Sequence, residues 1–149
     1  MKNRANVQAA AGYVGVAFVA AGVLGFVPGA VTDYSELNFW EHDSYAQLFD
    51  VFQISILHNI VHLVLGAAGL VLARTFAGAR WYLIGGGAIY LAAWIYGLAV
   101  DAGSRANFVP FDRADNWLHF VLGLGMIALA IAATRGPLAD HLTLAGRHR

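Results

Sequence analysis

Six polar side chains, His58, Asn59, His62, Asp115, Asn116 and His119, stand inside otherwise apolar runs, and they are the residues whose types and spacing offer chemistry. His58 and His62 are four positions apart, as are Asp115 and His119, so on a helix each pair shares one face, one turn apart. Such a pair can chelate one ion. Three imidazoles and a carboxylate suit zinc, iron or manganese, with Asn59 and Asn116 beside the ligands as natural hydrogen-bonding partners for them. The same residues admit a haem b, ligated on its two faces by His62 and His119. Gly66 and Gly123 would then leave room for the macrocycle one turn deeper, and Arg105 and Arg113 would meet the propionates. They also admit a structural use, in which His and Asn hydrogen-bond across helices at about 0.6 to 2 kcal/mol per contact and so select which helices pack together. A proton relay through His58, Asp115 and His119 lacks the broken helices that transporter sites use. There is no nucleophile elbow and no phosphate loop, and the absence of cysteine removes disulfides and thiol chemistry, so hydrolase and kinase assignments have no support.

The elements that must position these residues are membrane spans. The 149-residue chain is 59% hydrophobic and only 12% charged, about half the charged fraction of a soluble domain. Its mean hydropathy is +0.60. Four segments free of Lys, Arg, Asp and Glu approach or exceed the roughly 20 residues that cross a bilayer core, at about 9–28, 51–73, 81–100 and 116–133. In lipid each must satisfy its backbone internally, so each is expected to be an α-helix. The basic N-terminus resembles a signal peptide, but the apolar run continues to Gly29 without a polar cleavage region and reads as a retained span.

Loop charges set the orientation. Lys2, Arg4, Arg74, Arg80, Arg135, Arg147 and Arg149 fall on one side of the implied bundle and only Arg105 and Arg113 on the other, which predicts a cytoplasmic (inner) membrane protein with both termini cytoplasmic. The external loops at 30–50 and 101–114 carry acids and aromatic rings suited to the headgroup region, and Asp43 or Ser44 is placed to cap a short interfacial helix. The segment 136–149 reads as a solvated cytoplasmic tail. With zero formal charge overall, nothing points to nucleic acid.

Helix faces follow from spacing. Gly12, Gly15, Gly22, Gly25 and Gly29 let another backbone approach the first span. His58, His62, Gly66, Gly69 and Ala73 form one face of the second, and Asp115, His119, Gly123, Met126 and Ala130 the matching face of the fourth, while Tyr90, Trp94 and Gly97 share a face of the third. The short segment 74–80 makes spans two and three antiparallel neighbours. His58 to Gly66 and Asp115 to Gly123 align without gaps, sharing Asn, His, Val, Leu and Gly, and Asn107-Phe108-Val109-Pro110 is similar to Gly25-Phe26-Val27-Pro28. The halves therefore read as two tandem hairpins, related as parallel repeats about an axis along the membrane normal.

On the Gly-Phe-Val-Pro-Gly end of the first span, the His58-Asn59-Ile60-Val61-His62 and Asp115-Asn116-Trp117-Leu118-His119 cores and the glycine-bearing segment from Tyr82 to Tyr96, the chain resembles the bacterial, largely actinobacterial, membrane family called domain of unknown function 4383. The resemblance covers nearly the whole sequence and implies four spans without adding any chemistry. The expectation is an all-α, four-span bundle in the lipid bilayer, not itself an enzyme. It would act as an accessory or assembly component that meets a membrane-protein partner or another copy of itself through glycine faces. The alternative is a metal or haem protein in redox or ion handling.

Overall fold

A computed structural model describes residues 2–40, 44–100 and 113–134, the side chains of 2–5 and 134 excepted. Four helices dominate: α1 (Lys2–Leu24), α2 (Ile56–Leu72), α3 (Phe76–Ala99) and α4 (Arg113–Thr134). Three are long and apolar enough to cross a membrane, over Asn6–Leu24, Phe76–Ala99 and Arg113–Ala133. Their outward side chains, such as Tyr13, Val16, Ile95, Leu98 and Val121, are exposed and apolar, as lipid-facing surfaces are. The chain is thus an all-α polytopic membrane protein, as expected.

The bounds differ from those read in the sequence in instructive ways. α1 ends at Leu24, before Pro28, because Gly25, Phe26 and Val27 close turns onto the carbonyls of Ala21, Val23 and Leu24. α3 starts five residues before Trp81, where the Thr75 hydroxyl caps it by accepting from the Gly78 amide at 3.1 Å. The largest difference is in α2, which has 17 residues, about 25 Å of helix. Residues 51–55 of the expected span belong to another element.

That element is a small β cap. Strands β1 (Val31–Thr32), β2 (Gln47–Leu48) and β3 (Phe52–Gln53) form an antiparallel sheet in that order, with Leu48 opposite both Val31 and Phe52. Ser44, expected as a helix cap, is instead fully buried in this unit, donating to the Ile54 carbonyl at 2.6 Å. Asp43 lies outside the described residues. The cap solves a problem created by the short α2, whose first amides have no partner within the helix. Ile56 and Leu57 donate to the Asn38 and Phe39 carbonyls at 3.0 and 3.3 Å, and His58 to the Ser55 hydroxyl at 3.0 Å.

The closest helix pairs are α1 with α2 and α3 with α4, and α1 also packs on α3 and α4. The short α2–α3 connection does make these helices neighbours, but they touch less than either hairpin pair. A β-carbon at Gly15 would lie 2.9 Å from the Gly66 carbonyl oxygen, and one at Gly87 would lie 2.8 Å from that of Gly123. Gly66 meets Val19 as Gly123 meets Leu91, and Gly25 meets Asn59 as Gly97 meets Asn116. Every partner in α3 lies 72 positions after its counterpart in α1 or the turn that ends it, and every partner in α4 lies 57 after its counterpart in α2. By this register Gly25 corresponds to Gly97. The similarity of Gly25-Phe26-Val27-Pro28 to residues 107–110 implies a different register, and that second segment lies outside the described residues.

Candidate functional site

Buried polar side chains gather at the β-cap end of the bundle. Ser44, Ser55, His58, Asn59, Asp115, Asn116 and His119 are all buried, whereas the opposite end packs Val7, Ala11, Ala79, Leu83 and Ala130. Asp115 and His119, at 2% and 6% exposure, point into the bundle with Gly123, Met126 and Ala130, as the spacing of α4 predicts. The β cap sits over the His58 side of this region.

The two asparagines act as clamps within their hairpins. Asn59 Nδ2 donates to the Gly25 carbonyl at 2.8 Å, and the Asn59 side chain occupies the space that a β-carbon at Gly25 would need. Asn116 lies in the same way against Gly97, although its buried Oδ1 accepts no hydrogen bond among the described residues. Asn59 thus makes a hydrogen bond to the end of the first helix of its hairpin, whereas Asn116 packs against Gly97.

The imidazoles stand differently. The rings of His58 and His62 meet edge to face at 4.4 Å, and a continuous series of rings runs on from His62 to Phe18 (5.5 Å), to Tyr90 (5.3 Å) and to His119 (5.2 Å). It takes one or more rings from each of the four helices. Tyr90 was read in the sequence only as part of a helix face and Phe18 was not singled out, yet they are 72 positions apart and hold equivalent places against His62 and His119. His119 is within electrostatic reach of both His58 and His62. Among the described residues, however, no three His, Cys, Asp or Glu side chains come together closely enough to hold a metal ion.

Beside the imidazoles is a cavity of about 300 Å³. His58, Asn59, His62 and Asp115 line its polar part, Ala17, Ala20, Ala21 and Leu24 give one wall, and Leu48, Phe49, Phe52 and Ile54 of the cap region close it above. Ala17, Ala20 and Phe49 are exposed, so the cavity opens sideways, where α1 and α4 meet under the cap. Phe49 and Asp50 hold the tight β2–β3 turn with φ of 55° and 60°, a left-handed conformation that a residue with a β-carbon adopts at a cost of about 1 to 2 kcal/mol. The strained turn carries Phe49 to the mouth.

The family described as a domain of unknown function (DUF4383) matches residues 8–132, which span the four helices, the cap and the cavity. The chain belongs to this family. Searches of curated proteins and of solved structures give no match. For this DUF4383 chain the function therefore has to be argued from the cavity and the residues around it. The glycine faces, expected to meet partners, are largely consumed within the chain. Gly15, Gly22, Gly25, Gly66, Gly69, Gly87, Gly97 and Gly123 all abut its own helices, and Gly85 and Gly125 are the described helical glycines with nothing within 4 Å.

Proposed function

We propose that this DUF4383 protein is a non-enzymatic binding component of the cytoplasmic membrane, working through the cavity under its β cap. It crosses four times with both termini inside and arose as two tandem hairpins. Within this reading α2 is the short span, near the lower limit of about 17 residues, and the cap completes its outer end. The acids Asp33, Glu36 and Asp50 lie at the cap end and Arg74 and Arg80 at the other, in keeping with basic residues retained inside. The observation that carries the reading is the cavity itself. Interhelical glue would fill the space between helices, whereas His58, His62 and Asp115 border open volume.

A second reading, a metal or haem b in redox or ion handling, draws on the electrostatic proximity of the three imidazoles. Against it stand the lack of a three-ligand group among the described residues and the ring series through Phe18 and Tyr90 that links His62 to His119. The test is a native mass spectrum, a visible spectrum and elemental analysis on protein extracted in mild detergent without chelators. The binding reading expects a bound organic mass that is lost in Ala17→Ile, with no Soret band. Near-stoichiometric metal or haem that is lost in His119→Ala establishes the second reading. Protein with nothing bound returns the histidines to a structural role.

A further inference from the structure

We propose a second site, separate from the cavity: a surface pocket at the start of α3 that holds the phosphate of an anionic bilayer lipid. Among the described residues Phe76, Ala77, Arg80, Trp81 and Ile84 line it, around a volume of about 200 Å³. Successive steps of one, three, one and three gather them on one face of the helix. α3 is apolar enough to span a membrane from Phe76 onward, so the pocket occupies the first turns of a span and reaches about 12 Å along it. That depth takes in headgroups and the tops of acyl chains.

The chemistry of the lining divides in the same direction. The Arg80 guanidinium is a planar fork that can donate to two phosphate oxygens at once. It is exposed, and its side chain makes no hydrogen bond or ion pair among the described residues. Trp81, at 72% exposure, adds an indole N–H that can donate to a phosphate or ester oxygen, on a ring suited to the headgroup region. Ile84 gives an apolar wall one turn deeper, where a chain begins. About 200 Å³ is on the order of seven water volumes, room for a phosphate and its glycerol with the chains left in the bilayer.

The matching register supplies a comparison. Gln8 stands in α1 where Arg80 stands in α3, and its amide is bonded to the Ala73 and Arg74 carbonyls. Ala9 and Gly12 stand where Trp81 and Ile84 stand, so the first hairpin has neither the cation nor the walls. The described acids Asp33, Glu36, Asp50 and Asp115 lie at the cap end, whereas Arg74 and Arg80 lie at this one, which makes it complementary to an anion. Under the proposed orientation this end meets the cytoplasmic leaflet, where anionic lipids gather.

The experiment is native mass spectrometry of the full chain released from nanodiscs of equal parts phosphatidylcholine and phosphatidylglycerol. The expected result is one phosphatidylglycerol retained per chain in preference to phosphatidylcholine. Arg80→Gln should lower that preference about fivefold or more, and Arg80→Lys, which keeps the charge and loses the fork, should fall between. Arg74→Gln should retain the lipid as the unaltered chain does, because Arg74 is equally exposed but does not line the pocket. Since Arg80 is exposed, the unfolding temperature of Arg80→Gln in phosphatidylcholine alone should stay unchanged, which separates lost binding from lost folding. No preference in the unaltered chain, an undiminished one in Arg80→Gln, or an equal loss in Arg74→Gln overturns the site. Release of the lipid by excess inorganic phosphate would assign the pocket to a free anion instead, and a preference gained only in Asp140→Asn would make the chain's own last segment its occupant. Ala17→Ile should leave phosphatidylglycerol retention unchanged, so this site and the cavity stand or fall separately.

Discussion

The two hairpins share one scaffold and differ at one place. In each, a glycine of the first helix meets a glycine of the second, an aromatic ring packs on a histidine, and an asparagine fills the space left by a glycine near the β-cap end. In the first hairpin Asn59 completes its clamp with a hydrogen bond, Ala17 leaves space and the β cap roofs it. In the second, Asp115 replaces His58, Ile89 replaces Ala17 and Tyr96 replaces Leu24. The lesson is that residues common to both hairpins hold helices together, while Ala17 and Leu24, larger as Ile89 and Tyr96 in the second hairpin, leave room for the cavity, to which the second hairpin lends Asp115 and Leu118.

This comparison is broken most severely at the glycine crossings. A β-carbon at Gly66 would lie 2.6 Å from the Val19 amide nitrogen and 2.7 Å from the Gly15 carbonyl oxygen, both backbone. Gly66→Ala should therefore cost about 3 kcal/mol or prevent folding, read as the unfolding temperature in detergent. Gly123→Ala meets the Leu91 side chain at 2.8 Å and the Gly87 oxygen only at 3.0 Å, so part of the clash can relax and the loss should be about 1 to 2 kcal/mol. Equal losses would mean that the hairpins are packed alike.

Next come the clamps. Asn59→Ala removes the bond to the Gly25 carbonyl and should lower stability by about 1 to 2 kcal/mol. Asn116→Ala, with no bond from its Oδ1 among the described residues, should cost less than about 1 kcal/mol. A smaller effect belongs to Gln8, whose side-chain amide donates to the Ala73 and Arg74 carbonyls at 3.0 and 2.8 Å and closes the C-terminal end of α2. Gln8→Ala should cost about 1 kcal/mol in the same measurement. The smallest shift is expected at the strained turn, where Phe49→Gly relieves the left-handed backbone while removing one wall of the cavity. Stability should move by less than about 1 kcal/mol while the bound organic mass is lost, and unchanged binding would remove Phe49 from the site.

Much of this was legible in the spacing. The faces through His58 to Ala73 and Asp115 to Ala130 are read directly from steps of three and four, because a buried helix face must repeat at that period. The β cap was not legible, since its strands are two residues long and carry no alternation to detect, and the apolar residues at 51–55 look like the start of a helix. The α1–α3 register was hidden for a different reason. Its equivalences, Gly15 with Gly87, Phe18 with Tyr90 and Gly25 with Gly97, are small or aromatic residues scattered in two glycine-rich apolar runs where many alignments score alike. The cavity could not be read from sequence because it depends on where side chains are missing: alanines at 17, 20 and 21 lie under a cap whose covering residues, Leu48 to Ile54, come much later in the chain.

The most direct test of the unequal hairpins is photolabelling of the full chain in bilayers with a small lipid-soluble diazirine, mapped by mass spectrometry with and without an excess of its non-photoreactive analogue. The account predicts displaceable label on residues 17–24, 49–52 and 58–62, and only non-displaceable label on 89–96. Displaceable label spread equally over both hairpins, or found only on the outward surface, would contradict it.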